Sequence, residues 1–128
     1  MESRILFITG HRQDAKTISE MLRALPLTVE HARTVKHARA KLCDKHFDVV
    51  LSESSLPDGT WLDILNLTRN LSSQPQLIVT DPQADARFWA EALNMGAYDL
   101  LAQPFYEPEV RRILHNVCSR PALVRAAV

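Results

Sequence analysis

The amino-acid sequence predicts an α/β fold, a (βα)5 three-layer sandwich with helices on both faces of a five-stranded parallel sheet. Two observations carry this. Short apolar runs at residues 5–8, 27–31, 49–51, 77–80 and 100–101 alternate with stretches whose apolar residues recur at helical spacing. Strict alternation of strand and helix needs crossover connections, and crossovers of one hand place helices on both sides of a parallel sheet.

Composition agrees. A chain of 128 residues with 46% hydrophobic and 23% charged residues suits one globular domain. We place that domain at residues 1–120, with 121–128 as a tail or the start of a linker. Fifteen basic and fifteen acidic residues cancel, so no net field draws the domain to nucleic acid or to a membrane surface. No apolar run approaches the roughly 20 residues of a membrane helix. Met1-Glu2-Ser3-Arg4 lacks a secretory layout, so a cytoplasmic protein is expected, with Cys43 and Cys118 as reduced, semi-buried thiols.

The elements follow in order. Ile5-Leu6-Phe7-Ile8 is a buried strand ending at Thr9-Gly10. Ile18, Met21, Leu22 and Leu25 mark a helix that Pro26 stops. Leu27, Val29 and His31 alternate with polar residues, which suits a strand nearer the sheet edge. Thr34 caps a helix with Val35, Ala38 and Leu42 inside, and Val49-Val50-Leu51 is the central strand. Beyond a turn at Pro57-Asp58-Gly59, Thr60 caps a helix running through Leu62, Leu65 and Leu71. Leu77-Ile78-Val79-Thr80 is the fourth strand, and Phe88, Ala92, Leu93 and Met95 mark a helix closed by Gly96. Leu100-Leu101 is the fifth strand, and Val110, Ile113, Leu114, Val117 and Cys118 lie along one side of the last helix.

Alternation alone reaches only a flavodoxin-like domain, and a fold does not fix a function. Three segments narrow it: Glu53-Ser54-Ser55-Leu56-Pro57-Asp58-Gly59, Leu77-Ile78-Val79-Thr80, and Gly96 through Phe105. In this order they resemble the phospho-acceptor segment, fourth strand and fifth-strand run of response regulator receiver domains. The resemblance spans residues 4 to about 119. It implies the receiver type of fold, a place in two-component phosphorelay signalling, no enzyme activity, and a kinase, regulator or output domain as protein partner. It also marks Glu53 as the remnant phospho-acceptor position and Thr80 as the remnant phosphate-contact switch residue.

The departures are as informative. Where the family has a Mg²⁺-binding acidic pair this chain has Thr9-Gly10; Glu53 replaces the acceptor aspartate, Gln103 the lysine, and Leu100 the switch aromatic. Phosphoryl transfer depends on positioning and on neutralising charge across the transferred oxygens. Thr9 and Gly10 cannot replace two anionic ligands, Gln103 brings no positive charge, and Asp81 adds a negative one. The expectation is an atypical, pseudo-receiver domain with weak or absent Mg²⁺ binding, no cofactor and no metal ligands. It would signal by protein–protein contact. Glu53 either mimics a phosphorylated state, hydrogen-bonded to Thr80, or marks a lost switch. Phosphorylation at Glu53 or another residue is the alternative reading, and a small hydrolase or nucleotide-binding enzyme on the same fold is a third.

His11, His31, His37, His46 and His115 show no compact ligand spacing, and surface or satisfied histidines are the expectation; His11 is singled out by its place at the active edge. Ser52, Ser54 and Ser55 read as loop serines that satisfy backbone groups rather than as nucleophiles. Trp61 should begin the third helix, and Trp89 reads as core. In receiver domains the fourth helix, fifth strand and fifth helix form the usual dimer face. Here that face would carry Arg87, Glu91, Asp99, Arg111 and Arg112.

Overall fold

The computed structural model describes residues 3–119; the expected tail at 121–128 lies outside the described residues. Strands β1 (Ser3–Ile8), β2 (Leu27–Ala32), β3 (Val49–Glu53), β6 (Gln76–Asp81) and β7 (Asp99–Ala102) form one sheet in the order β2-β1-β3-β6-β7, and the short β4 (Ser55–Leu56) and β5 (Gly59–Thr60) pair apart from it. Every pairing is parallel. Helices α1 (Arg12–Met21), α2 (Val35–Asp44), α3 (Trp61–Arg69), α4 (Ala86–Met95) and α5 (Glu107–Cys118) fill the crossovers. The central and edge positions expected for β3 and β2 hold.

The period-two alternation of each strand divides the core. Leu6, Ile8, Val50, Leu77, Val79 and Leu100 face a cluster closed by α2, α3 and α4, including Ala38, Trp61, Ile64 and Ala92. Ile5, Phe7, Val49, Leu51, Ile78 and Leu101 face the other cluster, where Ile18 of α1 and Val110, Ile113 and Leu114 of α5 cover them. β3 is buried along its whole length, as the middle strand of a doubly covered sheet must be.

Capping follows the residues expected of it. Thr34 accepts from His37 N–H at 3.0 Å, and Thr60 accepts from Leu62 N–H while Asp63 accepts from Thr60 N–H at 2.9 Å. Gly96 closes α4 with φ 116°, a conformation that suits a residue lacking a Cβ.

Three details depart from the sequence reading. α1 ends at Met21, five residues before Pro26, with Leu22 at its C-cap; Leu25 therefore packs from the connecting turn. The stripe of α3 runs Trp61, Ile64, Leu65 and Thr68, which leaves Leu62 exposed and Leu71 beyond the helix. The turn after β3 is a small antiparallel hairpin, β4 (Ser55–Leu56) with β5 (Gly59–Thr60). At its tip, Asp58 caps the neighbouring helix, accepting from Val35 N–H at 2.7 Å and Lys36 N–H at 3.1 Å. Those two N–H groups, Val35 first, hold the Asp58 carboxyl below its usual range.

Candidate functional site

Parallel strands all end on the same edge of the sheet, and here the ends of β1, β3, β6 and β7 bring polar residues into one cavity of about 290 Å³. Glu53, the last residue of β3, is buried between them. Its Oε1 accepts from the Thr9 hydroxyl at 2.6 Å and from Gly10 N–H at 2.9 Å. Oε2 lies 3.2 Å from His11 Nδ1. Thr9 Oγ1 also accepts from His11 N–H at 3.0 Å, so the turn from β1 into α1 folds around this carboxylate. Thr9 and Gly10 thus act as donors to Glu53, a role not read from the sequence.

The Glu53–Thr80 hydrogen bond that the mimicry alternative requires does not form. The two residues are partners in the β3–β6 register, yet Glu53 turns to β1, and buried Thr80 Oγ1 has no hydrogen-bond partner among the described residues. The donors at the end of β1 capture the carboxylate first: a hydroxyl and an N–H converge on one oxygen there. An unsatisfied buried hydroxyl costs about 1–3 kcal/mol. Asp81 is engaged, accepting from Gln83 N–H at 2.6 Å and from the Ser54 hydroxyl. Gln103, which precedes Pro104 after β7, lines the cavity, and Leu100 lies in the core.

His11, Asp14 and Glu53 each place a ligand atom within 4.8 Å of the other two. His11 Nδ1 is 3.8 Å from Asp14 Oδ2. Linear spacing does not reveal this group, because Glu53 lies far along the chain from His11 and Asp14. The available signal was an i, i+3 pair on the first turn of a helix that starts at the active edge. The serines form no nucleophilic arrangement. Ser54 serves Asp81, Ser52 donates to the Glu53 carbonyl at 2.9 Å, and among the described residues no serine bonds to His11.

The expected interaction face is altered in two places. Trp89 is 48% exposed instead of core, with its Nε1 donating to Asp99 at 3.1 Å. The buried stripe of α4 passes through Ala92, and Trp89 stands off it. Arg111 turns away from the face, toward α1, donating to the Met21 carbonyl at 3.1 Å and pairing with Glu107 at 3.4 Å. Arg87, Glu91 and Arg112 are exposed. Elsewhere, Lys41 and then Lys45 hold the Glu30 carboxyl below its usual range. Both cysteines are free; Cys43 is exposed rather than semi-buried, while Cys118 is half-buried and burial raises its thiol.

The pattern of the response regulator receiver domain matches residues 3–115. The chain belongs to the response regulator receiver family. Receiver domains of this family act generally in two-component signalling, as modules that meet kinases and output domains. The chain is 29% identical to response regulator protein PilR of Pseudomonas aeruginosa over 105 residues, 81% of this chain and 24% of PilR. It is 28% identical to the swarming motility regulation protein RssB of Serratia marcescens over 106 residues, 83% of this chain and 48% of that protein. The chain therefore spans less than half the length of these relatives. The non-phosphorylated HemR receiver domain of Leptospira biflexa is 26% identical, with TM-score 0.81, covering 94% of this chain and 98% of that one. Chemotaxis response regulator CheY4 of Vibrio cholerae shares the fold at 21% identity and TM-score 0.82, covering 91% and 99% of the two chains. No helix among the described residues of this receiver domain is long and apolar enough to cross a membrane.

Proposed function

We propose that this receiver domain signals through protein contact, without a phosphoryl group on Glu53. The observation that carries the reading is the state of the Glu53 carboxylate: Oε1 already takes two hydrogen bonds, from Thr9 and Gly10, at the place where a metal and an incoming phosphate would compete for it. Both donors come from the end of β1, where the family's resemblance implies acidic metal ligands. The donor set does not fit Mg²⁺, which takes octahedral oxygen ligands and keeps several waters. An imidazole is its nearest neighbour on Oε2, and the β1 terminus offers hydrogens instead of anionic oxygens. Around the cavity Gln103 is neutral and Asp81 is acidic, so neither offers an incoming anion a charge partner.

A partner surface is available without any switch. Trp89 and Met95 on α4 and Tyr106 before α5 are 48%, 42% and 66% exposed, and the same elements with β7 carry Arg87, Glu91, Asp99 and Arg112. Exposed aromatics rimmed by mixed charge suit a protein partner, or a second copy of the chain as a homodimer. A cytoplasmic setting, a kinase or regulator partner and an output domain in a longer parent chain belong to the same reading.

The test is intact mass after incubation with a small phosphodonor and Mg²⁺. The protein should stay unmodified, and Glu53→Asp alone should not confer labelling, since Thr9, Gly10 and Gln103 are unchanged. A stoichiometric phosphoryl adduct that disappears in Glu53→Gln overturns the proposal.

A further inference from the structure

We propose that His11, Asp14 and Glu53 form a binding site for a divalent first-row transition ion, Zn²⁺ above all. The three ligand atoms, one imidazole nitrogen and two carboxylate oxygens, already lie within 4.8 Å of one another, with edges of 3.2 Å and 3.8 Å from His11 Nδ1. Ligands around a tetrahedral zinc sit about 3.3 Å apart, given metal–ligand bonds of about 2.0–2.1 Å. Two edges are therefore close to the required lengths. The third closes by rotation of His11, whose side chain is 73% exposed, and Asp14, at 35%.

Glu53 is prepared for this role. Thr9 and Gly10 fix its Oε1 and leave Oε2 for a cation, and hydrogen bonds to the far oxygen of a ligand orient it as outer-shell partners do. The set of one nitrogen and two carboxylate oxygens selects Zn²⁺-class ions over Mg²⁺, which prefers oxygen alone.

A second observation points to an occupant of the cavity. Thr80, fully buried in its wall, keeps an Oγ1 with no partner. Three protein ligands leave one zinc position open. A water or small anion on that position, if it reached this hydroxyl, would give it its missing hydrogen bond. The ligands differ from the acidic pair implied by the family: His11 and Asp14 follow Thr9-Gly10 and belong to the entry of α1.

The experiment uses the 128-residue chain and reads metal directly. Zn²⁺ affinity is measured by competition with a chromophoric chelator, Mg²⁺ by calorimetry, and coordination by the visible spectrum of the Co²⁺-loaded protein. One Zn²⁺ should bind more than about 100-fold tighter than Mg²⁺. His11→Ala and Asp14→Asn should each weaken it by more than about tenfold and bleach the Co²⁺ bands. Both residues lie outside the core, and a native thermal transition checks that the variants fold. His46→Gln, which removes the exposed His46–Asp48 pair, and His115→Gln should bind as the parent does. Zinc that binds no tighter than Mg²⁺, or equally well to the His11 and Asp14 variants, sinks the site. Phosphodonor labelling reads covalent mass, so its result is separate from this one.

Discussion

Thr9 donates its hydroxyl hydrogen to Glu53 at 2.6 Å, joining the end of β1 to the end of β3 with both side chains buried. A hydrogen bond to a charged group contributes about 1.5–3 kcal/mol, because its loss leaves a buried carboxylate short of a partner. Thr9→Val keeps the shape and removes the donor, and it also removes the acceptor for His11 N–H. The variant should lose stability in that range, seen as a lower denaturant midpoint at unchanged slope. A loss below about 0.5 kcal/mol means that Thr9 does not hold the carboxylate.

Thr80→Val should do the opposite. Its Oγ1 is buried and makes no hydrogen bond, so replacing the hydroxyl with a methyl breaks nothing and removes an unsatisfied group. We expect stability unchanged or raised by up to about 1 kcal/mol. Thr68→Val is the control, since the Thr68 hydroxyl donates to the Leu65 carbonyl at 2.9 Å. If Thr80→Val costs as much as the control, the hydroxyl has a partner in solution.

These two threonines also show where sequence reasoning stops. Apolar runs placed every strand of the main sheet, because burial on both faces demands continuous hydrophobicity in β1, β3 and β6. Strand direction then delivered Thr9, Glu53 and Thr80 to one edge. Which hydroxyl takes the carboxylate depends on a rotamer and on the turn into α1, and neither leaves a pattern in the chain. Asp14 escaped for a related reason, as its partner Glu53 is distant in sequence. Arg111 leans to α1 rather than to the expected face, and Val110, Ile113 and Leu114 define the buried stripe of α5 without saying toward which neighbouring helix a residue on its border leans. The β4–β5 hairpin has two-residue strands, too short for alternation to register.

Acid should release the Asp58 cap. Its folded pKa is depressed by Val35 and Lys36 N–H, so its contribution is present above the unfolded value of about 3.9 and lost as pH falls through the folded one. Glu30, held by Lys41 and Lys45 at 3.1 and 3.2 Å, has the same sign and adds to the loss in the same acidic window. Asp58→Ala should therefore be less stable than the parent at neutral pH, with the gap closing below about pH 4 in thermal melts. A gap independent of pH between 7 and 3 rules the cap out as its source.

The thiols should separate in an alkylation time course. Cys43 is exposed on α2, while Cys118 on α5 is half-buried with a thiol pushed up by burial, which lowers its thiolate fraction. In the folded protein one equivalent should react quickly at Cys43, and the second should follow slowly or on denaturation. Peptide mapping that finds Cys118 modified first contradicts this placement.

Gly96→Ala tests the end of α4. At φ 116° an alanine is strained by about 1–2 kcal/mol, and its Cβ would meet the Arg69 guanidinium that donates to the Met95 carbonyl. The variant should melt roughly 2–16 °C lower, since a domain of this size falls between the about 4–8 °C per kcal/mol of 60–100 residues and the about 2–4 °C of 150–250 residues. Arg69→Ala removes the clash but also the bond to Met95, so combining the two changes should cost less than the sum of the single losses. Gly96→Asn should be milder than alanine, since asparagine tolerates the left-handed region. Equal stability of the alanine variant and the parent would show that α4 does not end on this left-handed cap.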